Sequence, residues 1–362
     1  MKKWQIGWGP IVSCNMKCKF CYSENSRKNT QSLSYQDWVS FIDNNYKYID
    51  AINYGTGENT MSDEWFKLVK HIREQYPNIA QALTTNGYLS ERIMEDSEYD
   101  EIIKKSINEV DVSLDFSAPM KHNEFRGQKH AYRWAINTLE YLKDKDIETT
   151  IVFLGSPETL EKENIKGLFE IGKKYNAKLR MNIYRPTNGI NDASKRFIPS
   201  FEQIIDTLYY INNNYRIVAI CDPLFSSILT EDNYEEDPSG SNSLRILGDG
   251  SITPSTYLIS EEFKRANIKM LDALKVIEND NLFNDVILAP IPKECEQCQY
   301  VNTCKGGVYD RRYLWYGDFN ERDPYCPFRN SQSIKFEKVK VKRDNDFSSI
   351  HDGYLPTMFF NC

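Results

Sequence analysis

The sequence has few histidines and no long apolar run. Only four of its 362 residues are histidine, and no stretch approaches the roughly 20 apolar residues of a membrane-spanning helix. The opening residues, MKKWQIGWGPIVSC, carry two lysines but only a short apolar run, which glycine and proline interrupt. We therefore expect no signal peptide, no membrane partner and a cytoplasmic location.

An excess of positive charge is also missing. The formal net charge is −7, so the chain lacks the overall basic character of proteins that bind nucleic acid nonspecifically. Hydrophobic residues make up 40% and charged residues 27%, as in ordinary globular proteins. We therefore expect a folded protein with no nucleic-acid partner.

Cysteine is abundant and unevenly placed. Nine cysteines are present, and a chain of this length does not need disulfides to stabilise its core. Three cluster near the start and four near the end, with one between the groups and one at the last position. Clustered thiols in a reducing compartment favour metal binding over disulfide formation. The positions are Cys14, Cys18, Cys21, Cys221, Cys295, Cys298, Cys304, Cys326 and Cys362.

Strand and helix patterns alternate through the first 215 or so residues. Short apolar or β-branched runs precede amphipathic segments of helical length six times, which predicts βαβ units and a parallel sheet. Parallel barrels carry their chemistry at the carboxyl ends of the strands. The first cysteine set and the segments GTGE (55–58), TTNG (84–87) and SLD (113–115) all follow predicted strands. We therefore expect these segments to meet at one rim.

The pattern changes after residue 216. Short turn-rich segments such as EEDPSGSNS and KECEQC predict a smaller domain at 217–335, which needs a metal to stabilise it. Residues 336–362 read as a C-terminal tail.

The first cysteine set has three thiols within eight residues. Cys14, Cys18 and Cys21 can each hold one iron of a 4Fe–4S cube as thiolates, which leaves the fourth iron open to an exogenous chelator. A structural zinc needs four closed ligands, and the nearest histidine, His71, lies on a predicted helix. A zinc site completed from elsewhere, or three unrelated thiols, are the competing interpretations.

Together these segments resemble the radical S-adenosylmethionine (SAM) superfamily. The resemblance rests on Cys14-x3-Cys18-x-Phe20-Cys21 after the first strand, on GTGE, on SLD, on HNEFRG (122–127) and on RMNIYRPTNG (180–189). It implies a partial (β/α)6 TIM-like barrel over residues 1–216, SAM and a 4Fe–4S cluster as cofactors, and a flavodoxin- or ferredoxin-type electron donor.

The resemblance also implies roles for individual residues. Phe20 would lie against the adenine of SAM, the GTGE turn would meet the methionine amine, and the SLD segment would bind the ribose. Taken alone, Glu58 could equally be a helix N-cap and Asp115 a turn residue. The implied SAM-binding residues are Phe20, Gly55, Gly57, Glu58, Ser113, Asp115, Arg180 and Asn182.

The second cysteine set has four thiols, Cys295-x2-Cys298-x5-Cys304-x21-Cys326. Four cysteines alone fit zinc or an iron–sulfur cluster. The stretch resembles the SPASM extension of radical SAM enzymes, a small α+β domain that holds two auxiliary 4Fe–4S clusters. Three cysteines of that pattern are replaced here by Asp237, Ser255 and Val308. We therefore expect one auxiliary cluster on the four remaining cysteines, and two clusters in total.

Three further residues have open interpretations. Cys221 follows a β-like run and fits a small buried hydrophobe, or a thiol that returns a hydrogen atom to a substrate radical. Cys362 fits a mobile terminal thiol. Arg185 can bind a substrate carboxylate or phosphate, or form a salt bridge.

The resemblance implies reductive cleavage of SAM to a 5′-deoxyadenosyl radical, which abstracts a substrate hydrogen. The leading substrate is a ribosomally made peptide or a protein side chain, modified by epimerisation or oxidative crosslinking. Against this, the barrel begins almost at residue 1, where many such enzymes carry a peptide-recognition domain. The alternative is a small molecule, such as a sugar, an aminoglycoside or a tetrapyrrole. A non-catalytic binding protein is the third hypothesis.

Overall fold

A computed structural model of the chain contains one large mixed sheet with helices packed along it. The structure describes residues 2–28, 30–232, 234–281, 283, 289–328, 334–343, 347 and 349–362. The strands are β1 Trp4–Trp8, β2 Ile49–Tyr54, β3 Ala80–Thr85, β4 Glu109–Ser113, β5 Glu148–Gly155, β6 Lys178–Ile183, β7 Arg216–Ile220, β8 Ser243–Ile246, β9 Ser251–Thr253, β10 Ala266–Asn267 and β11 Met358–Asn361.

The helices of the described residues alternate with the first strands and then become shorter. They are α1 Glu24–Lys28, α2 Tyr35–Asn45, α3 Asp63–Gln75, α4 Leu89–Glu95, α5 Ser97–Ser106, α6 Pro119–Arg126, α7 Ala131–Asp144, α8 Lys162–Tyr175, α9 Asp192–Lys195, α10 Phe201–Asn214, α11 Pro223–Leu229, α12 Ala273–Glu278, α13 Val301–Cys304 and α14 Tyr309–Tyr316. None of these helices is long and apolar enough to cross a bilayer.

The α/β fold expected from the sequence is confirmed. Strands β1 to β6 pair in chain order and in parallel, and the connections between them carry helices. The sheet is open and mixed at both ends, in the order β10-β9-β8-β1-β2-β3-β4-β5-β6-β11-β7. Strand β8 extends it in parallel beside β1, whereas β11 runs antiparallel to both β6 and β7. This arrangement is a partial barrel.

Local sequence signals explain where the helices begin. The Ser34 hydroxyl accepts a hydrogen bond from the Asp37 amide at the start of α2, and the Asp37 carboxylate accepts one from the Ser34 amide, which forms a capping box. Ser62 caps α3, and Ser200 and Gln203 form a second capping box at α10. Each cap satisfies amide groups that a helix cannot pair internally.

Strand β4 shows how the barrel is both packed and polar inside. All five of its residues are buried. Val110 and Val112 belong to the main hydrophobic core, whereas Asp111 between them pairs with Arg180 of β6. Since side chains alternate across a strand, one face packs on the helices and the other lines the interior with polar groups. A polar barrel interior indicates a binding site.

The C-terminal segment is part of the sheet. The domain boundaries at 216 and 335 stay predictions, but the last strand of the expected tail, β11, lies between β6 and β7 with Phe359 and Phe360 fully buried. The turn Ile350–Gly353 before it packs under the barrel, where Ser349 and Ile350 donate hydrogen bonds to the Glu109 carboxylate. The C-terminal segment is therefore part of the barrel sheet.

The position of β11 gives a stability prediction. Phe360→Ala is expected to lower the free energy of unfolding by about 3–5 kcal/mol, because it removes a fully buried ring from between β6 and β7. Urea unfolding measures this change. Met120→Ala, at a side chain that is 84% exposed, is the matched control and is expected to stay within about 0.5 kcal/mol. Equal effects of the two variants would refute the packing of β11.

Glu109 gives a prediction on pH. Burial raises its pKa from 4.5 to about 7, so the unfolded chain ionises this carboxyl at lower pH than the folded protein does. Stability from this group is therefore lost as the pH rises through that interval. Relative to Glu109→Gln, wild type is expected to lose about 3 kcal/mol of unfolding free energy between these two pH values. A difference that does not vary with pH would contradict the assignment.

Candidate active site

A cavity opens at the carboxyl ends of the parallel strands. It brings together the first cysteine set, the turn after β2, the ends of β4 and β6, and residues from β8 and the C-terminal segment. The rim predicted from the sequence is therefore present. The residues used below that line it are Cys14, Cys18, Phe20, Cys21, Tyr22, Arg27, Gly55, Thr56, Gly57, Asn86, Ser113, Asp115, Arg126, Leu154, Arg180, Asn182, Arg185, Arg245, Thr256, Tyr257, His351 and Tyr354.

The thiols of the first set each contact a different element. The Cys18 thiol donates to the Arg126 carbonyl of α6 at 3.5 Å, and the Asn86 amide nitrogen lies 3.8 Å from the Cys14 sulfur. Arg27 of α1 lies 3.7 Å from the Cys21 sulfur. Burial raises the pKa of Cys18 to about 12 and also raises that of Cys14. As free thiols, Cys14 and Cys18 therefore hold their protons, which a bound metal would displace.

Phe20 belongs to an aromatic group beside these thiols. Its ring stacks on Phe125 of α6 with centroids 4.4 Å apart and meets Phe197 edge-on at 5.8 Å. The Arg126 guanidinium lies 5.1 Å from the Phe20 centroid, a cation–π distance. These flat groups form a surface suited to a planar heterocycle.

The turn after β2 divides its residues between the cavity and the interior. Gly55 and Gly57 line the cavity, and Gly57 has φ +65° with no room for a side chain, since a Cβ would lie 2.3 Å from the Ile11 carbonyl. Thr56 also has a positive φ, +88°, which is strained for a β-branched residue. Its hydroxyl lies 3.0 Å from that of Tyr22.

Glu58 is not among the residues that line the cavity. It is completely buried, and its carboxylate accepts hydrogen bonds from Thr60, from the Thr85 hydroxyl at 2.9 Å and from the Asn86 amide at 2.7 Å. It also caps the turn Asn59–Met61, so the capping interpretation agrees with the structure. Glu58 therefore positions the turns after β2 and β3, and the expected contact with the methionine amine lacks geometric support.

Ser113 and Asp115 line the cavity at the end of β4. The Asp115 carboxylate accepts hydrogen bonds from Arg126 Nε at 2.6 Å and from the Leu154 amide at 2.9 Å. A carboxylate has further acceptor capacity, so Asp115 can also bind a hydroxyl.

On β6, Arg180 is buried and pairs with Asp111, and it donates to the Asn182 side-chain oxygen at 3.1 Å. Asn182 lines the cavity and also accepts from the Thr357 hydroxyl of the C-terminal segment at 2.7 Å. Arg180 is therefore mainly a positioning residue for Asn182.

Cys221 is not among the described residues that line the cavity. It is 2% exposed and packs with Val218, Ala219 and Phe359, and its thiol donates to Asp352 at 3.3 Å. Burial raises its pKa well above the ordinary value. The hydrophobe interpretation fits this environment, and the hydrogen-donor role has no geometric support.

Sequence reasoning missed several cavity residues that are distant in the chain. Arg245 of β8, Thr256, Tyr257, His351 and Tyr354 all line the cavity. Their placement depends on β8 pairing with β1 and on β11 pairing with β6, and neither pairing leaves a local sequence signal. The one available hint was a β-like run, SLRI, that places an arginine between apolar residues.

The second cysteine set lines a small apolar pocket together with Leu224, Ile228 and Tyr300. Cys295 and Cys298 share one turn, Cys304 ends α13 and Cys326 lies further along the chain, and burial raises the pKa of Cys295 to about 11. No three His, Cys, Asp or Glu side chains in the described part of the chain surround a single ion position. A 4Fe–4S cube takes one thiolate per iron, so thiols spread around a pocket fit it.

The three positions that lack cysteine are occupied by hydrogen-bonding groups. The Ser255 hydroxyl donates to Asp310 at 2.7 Å, and Arg185 donates to the other oxygen of Asp310 at 3.1 Å. The Val308 amide donates to Asp323 at 3.1 Å, and burial raises the pKa of Asp237 to about 7. The donor set around these positions is oxygen and guanidinium, which does not suit an iron–sulfur cluster.

Comparisons with known proteins agree with this geometry. Residues 9–169 match the model of the Radical SAM superfamily. An AdoMet-dependent heme synthase of Methanosarcina barkeri is 23% identical over 348 residues, 90% of this chain and 96% of the relative.

Two solved structures share the fold. Streptococcus suis SuiB bound to precursor peptide SuiA superposes with a TM-score of 0.69 at 17% identity, covering 90% of this chain and 76% of SuiB. Native anSMEcpe with bound AdoMet and Cp18Cys peptide gives 0.71 at 18% identity, covering 89% and 93% of the two chains.

The cysteine sets predict the iron content. Anaerobically reconstituted protein is expected to hold about eight irons and eight sulfides per chain, because only two of the sites have cysteine donors. Iron and acid-labile sulfide assays measure this, and about twelve irons would refute it. Cys326→Ala is expected to lower the count to about four, whereas Cys221→Ala, the matched control, should leave it unchanged. Equal iron in both variants would contradict the second site.

Proposed function

This chain is a radical SAM enzyme, and from that premise we propose that it reductively cleaves SAM and abstracts a hydrogen atom from a substrate in the same cavity. A 4Fe–4S cluster on Cys14, Cys18 and Cys21 would supply the electron that cleaves the sulfonium and yields a 5′-deoxyadenosyl radical. The observation that carries the proposal is the presence of these three thiols in one cavity with Phe20 and Asp115.

The residues of the chain bind and orient the cofactor in this proposal. The stacked rings of Phe20 and Phe125 offer a face for the adenine, and Ser113 and Asp115 offer hydrogen bonds for the ribose hydroxyls. Gly57 lets its turn pack against the backbone before the first cysteine set, because a side chain there would collide with the Ile11 carbonyl, and this turn would lie at the methionine end. Glu58 and Arg180 hold these turns and strand ends in place.

We further propose one auxiliary 4Fe–4S cluster on Cys295, Cys298, Cys304 and Cys326. Its part would be electron transfer, with a flavodoxin- or ferredoxin-type protein as external donor. The network of Arg185, Asp310 and Ser255 supports the view that a second auxiliary cluster is absent. A substrate thiolate would then have no open auxiliary iron to bind.

A ribosomally made peptide or a protein side chain is the first candidate substrate. It is supported by the shared fold with SuiB bound to precursor peptide SuiA and with peptide-bound anSMEcpe. Epimerisation needs a group that returns a hydrogen atom to the substrate radical, and the candidate thiol, Cys221, lies outside the cavity. Oxidative crosslinking with the auxiliary cluster as electron acceptor therefore fits the site better.

A small molecule is the second candidate substrate. It is supported by the AdoMet-dependent heme synthase of Methanosarcina barkeri, which aligns with this chain over nearly its whole length. Arg245 lines the cavity without a carboxylate partner among the described residues, which suits an anionic molecule such as a carboxylated tetrapyrrole.

Catalytic competence is tested by SAM cleavage. Reconstituted protein with SAM and a strong reductant is expected to release 5′-deoxyadenosine under anaerobic conditions, measured by liquid chromatography. Cys14→Ala, Cys18→Ala and Cys21→Ala should each abolish release, because each removes one iron ligand. Cys221→Ala and Cys362→Ala are matched controls that should retain it. If wild type releases none, the non-catalytic hypothesis is favoured.

A further inference from the structure

We propose that Arg245 is the centre of an anion-binding subsite that holds a carboxylate of the substrate. The inference rests on the proposed function, since it concerns what occupies the cavity beside SAM. It goes further by assigning a chemical group to the substrate and a residue to its recognition.

Arg245 is buried without a carboxylate partner. It is 1% exposed, on β8, and its ionisable neighbours in the described part of the chain are tyrosines, with no acidic side chain at ion-pair distance. One terminal nitrogen donates to the Gly55 carbonyl at 2.6 Å, the other lies 3.4 Å from the Tyr354 hydroxyl, and Nε has no partner among the described residues. A buried charge is unfavourable unless a counter-charge pairs with it.

Three other cavity arginines are neutralised by the protein. Arg126 pairs with Asp115 at 2.6 Å, Arg180 pairs with Asp111, and Arg185 pairs with Asp310 at 3.1 Å. All three carboxylates are buried, so these guanidinium groups have internal counter-ions. Arg27 has no such partner but lies beside the Cys21 sulfur, where a thiolate would balance it. The unbalanced charge in the cavity therefore lies at Arg245.

Neighbouring glycines leave space for the Arg245 guanidinium, and nearby hydroxyls provide further hydrogen-bond donors for an anion. A Cβ on Gly7 would lie 2.9 Å from its guanidinium, and one on Gly9 would lie 3.0 Å from it, so glycine stands at both contacts, in β1 and directly after it. The Tyr354 hydroxyl bonds to that of Thr256. Tyr22 also lines the cavity, and a phenol hydroxyl can donate a hydrogen bond to an anion. Guanidinium and hydroxyls around one space suit a carboxylate.

The carboxylate could belong to a free organic acid or to an acidic peptide side chain. Isothermal titration separates these sources with reconstituted, unreduced protein saturated with SAM. One arm uses 4-phenylbutyrate and its neutral amide. The other uses the blocked tripeptides acetyl-Gly-Glu-Gly-amide and acetyl-Gly-Gln-Gly-amide. One carboxylate probe is expected to bind at least tenfold more tightly than its amide counterpart, and the better arm identifies the source.

Arg245→Gln should weaken binding of that carboxylate probe at least tenfold, and Tyr354→Phe should weaken it less. Arg133→Gln removes an exposed arginine of α7 and serves as the matched control with unchanged affinity. Thermal unfolding adds a separate readout, since removal of an uncompensated charge should leave the Tm equal or higher. A folded Arg245→Gln protein that binds the probe as wild type does would overturn the proposal.

Two further outcomes would show that Arg245 does not bind a substrate carboxylate. A tenfold loss of SAM affinity in Arg245→Gln would assign the charge to the methionine carboxylate of the cofactor and overturn the substrate role. Equal binding of carboxylate and amide probes by wild type would also overturn it. Release of 5′-deoxyadenosine is measured separately, so the proposed function can hold while the subsite fails, and the subsite can hold while the proposed function fails.

Discussion

The antiparallel pairing of Met358–Asn361 with β6 and β7 is the contact on which the cavity depends. It inserts the end of the chain into the sheet, with Phe359 and Phe360 buried, and so fixes the turn that precedes it under the barrel. That turn brings His351 and Tyr354 into the wall of the cavity and Thr357 onto Asn182. The last residues of the chain thus help to shape a site whose first ligands lie near its start.

The insertion of β11 also affects the charge balance inside the barrel. Buried ions must be paired or hydrogen-bonded, and the interior meets that requirement strand by strand, as Arg180 of β6 does with Asp111 of β4. The C-terminal segment adds His351 beside Asp111, where burial lowers the pKa of the imidazole to about 3 and keeps it neutral. Among the cavity arginines of the described residues, Arg245 has no carboxylate partner, and the proposed substrate carboxylate would supply one.

Much of the fold and part of the site could be predicted from the sequence. The six strand–helix pairs have strong periodic patterns, and Phe20, Ser113 and Asp115 follow strands whose carboxyl ends meet, so local patterns located them. Glu58 follows the same pattern, but hydrogen bonds from Thr85 and Asn86 engage its carboxylate outside the cavity. Arg245 and Tyr354 could not be predicted, because strand order between distant segments places them. Cys221 carries a thiol, a group that can be reactive, so its residue type alone did not exclude a role in the reaction. Only the packing of the fold shows that it lies among Val218, Ala219 and Phe359.

The replaced cysteines connect the two halves of the chain. Where a thiolate ligand is lost, the position needs another buried partner, and here Ser255 bonds to Asp310, which in turn pairs with Arg185 at the cavity wall. A cluster position has thus become a link between the cavity and the domain that carries the second cysteine set. The guanidinium of Arg185 also lies 5.5 Å from the ring centre of Tyr257, which meets Tyr22 edge-on beside the first cysteine set. In the proposed function, a substrate that contacts this wall would therefore meet arginine and tyrosine, which would recognise it by charge and hydrogen bonds.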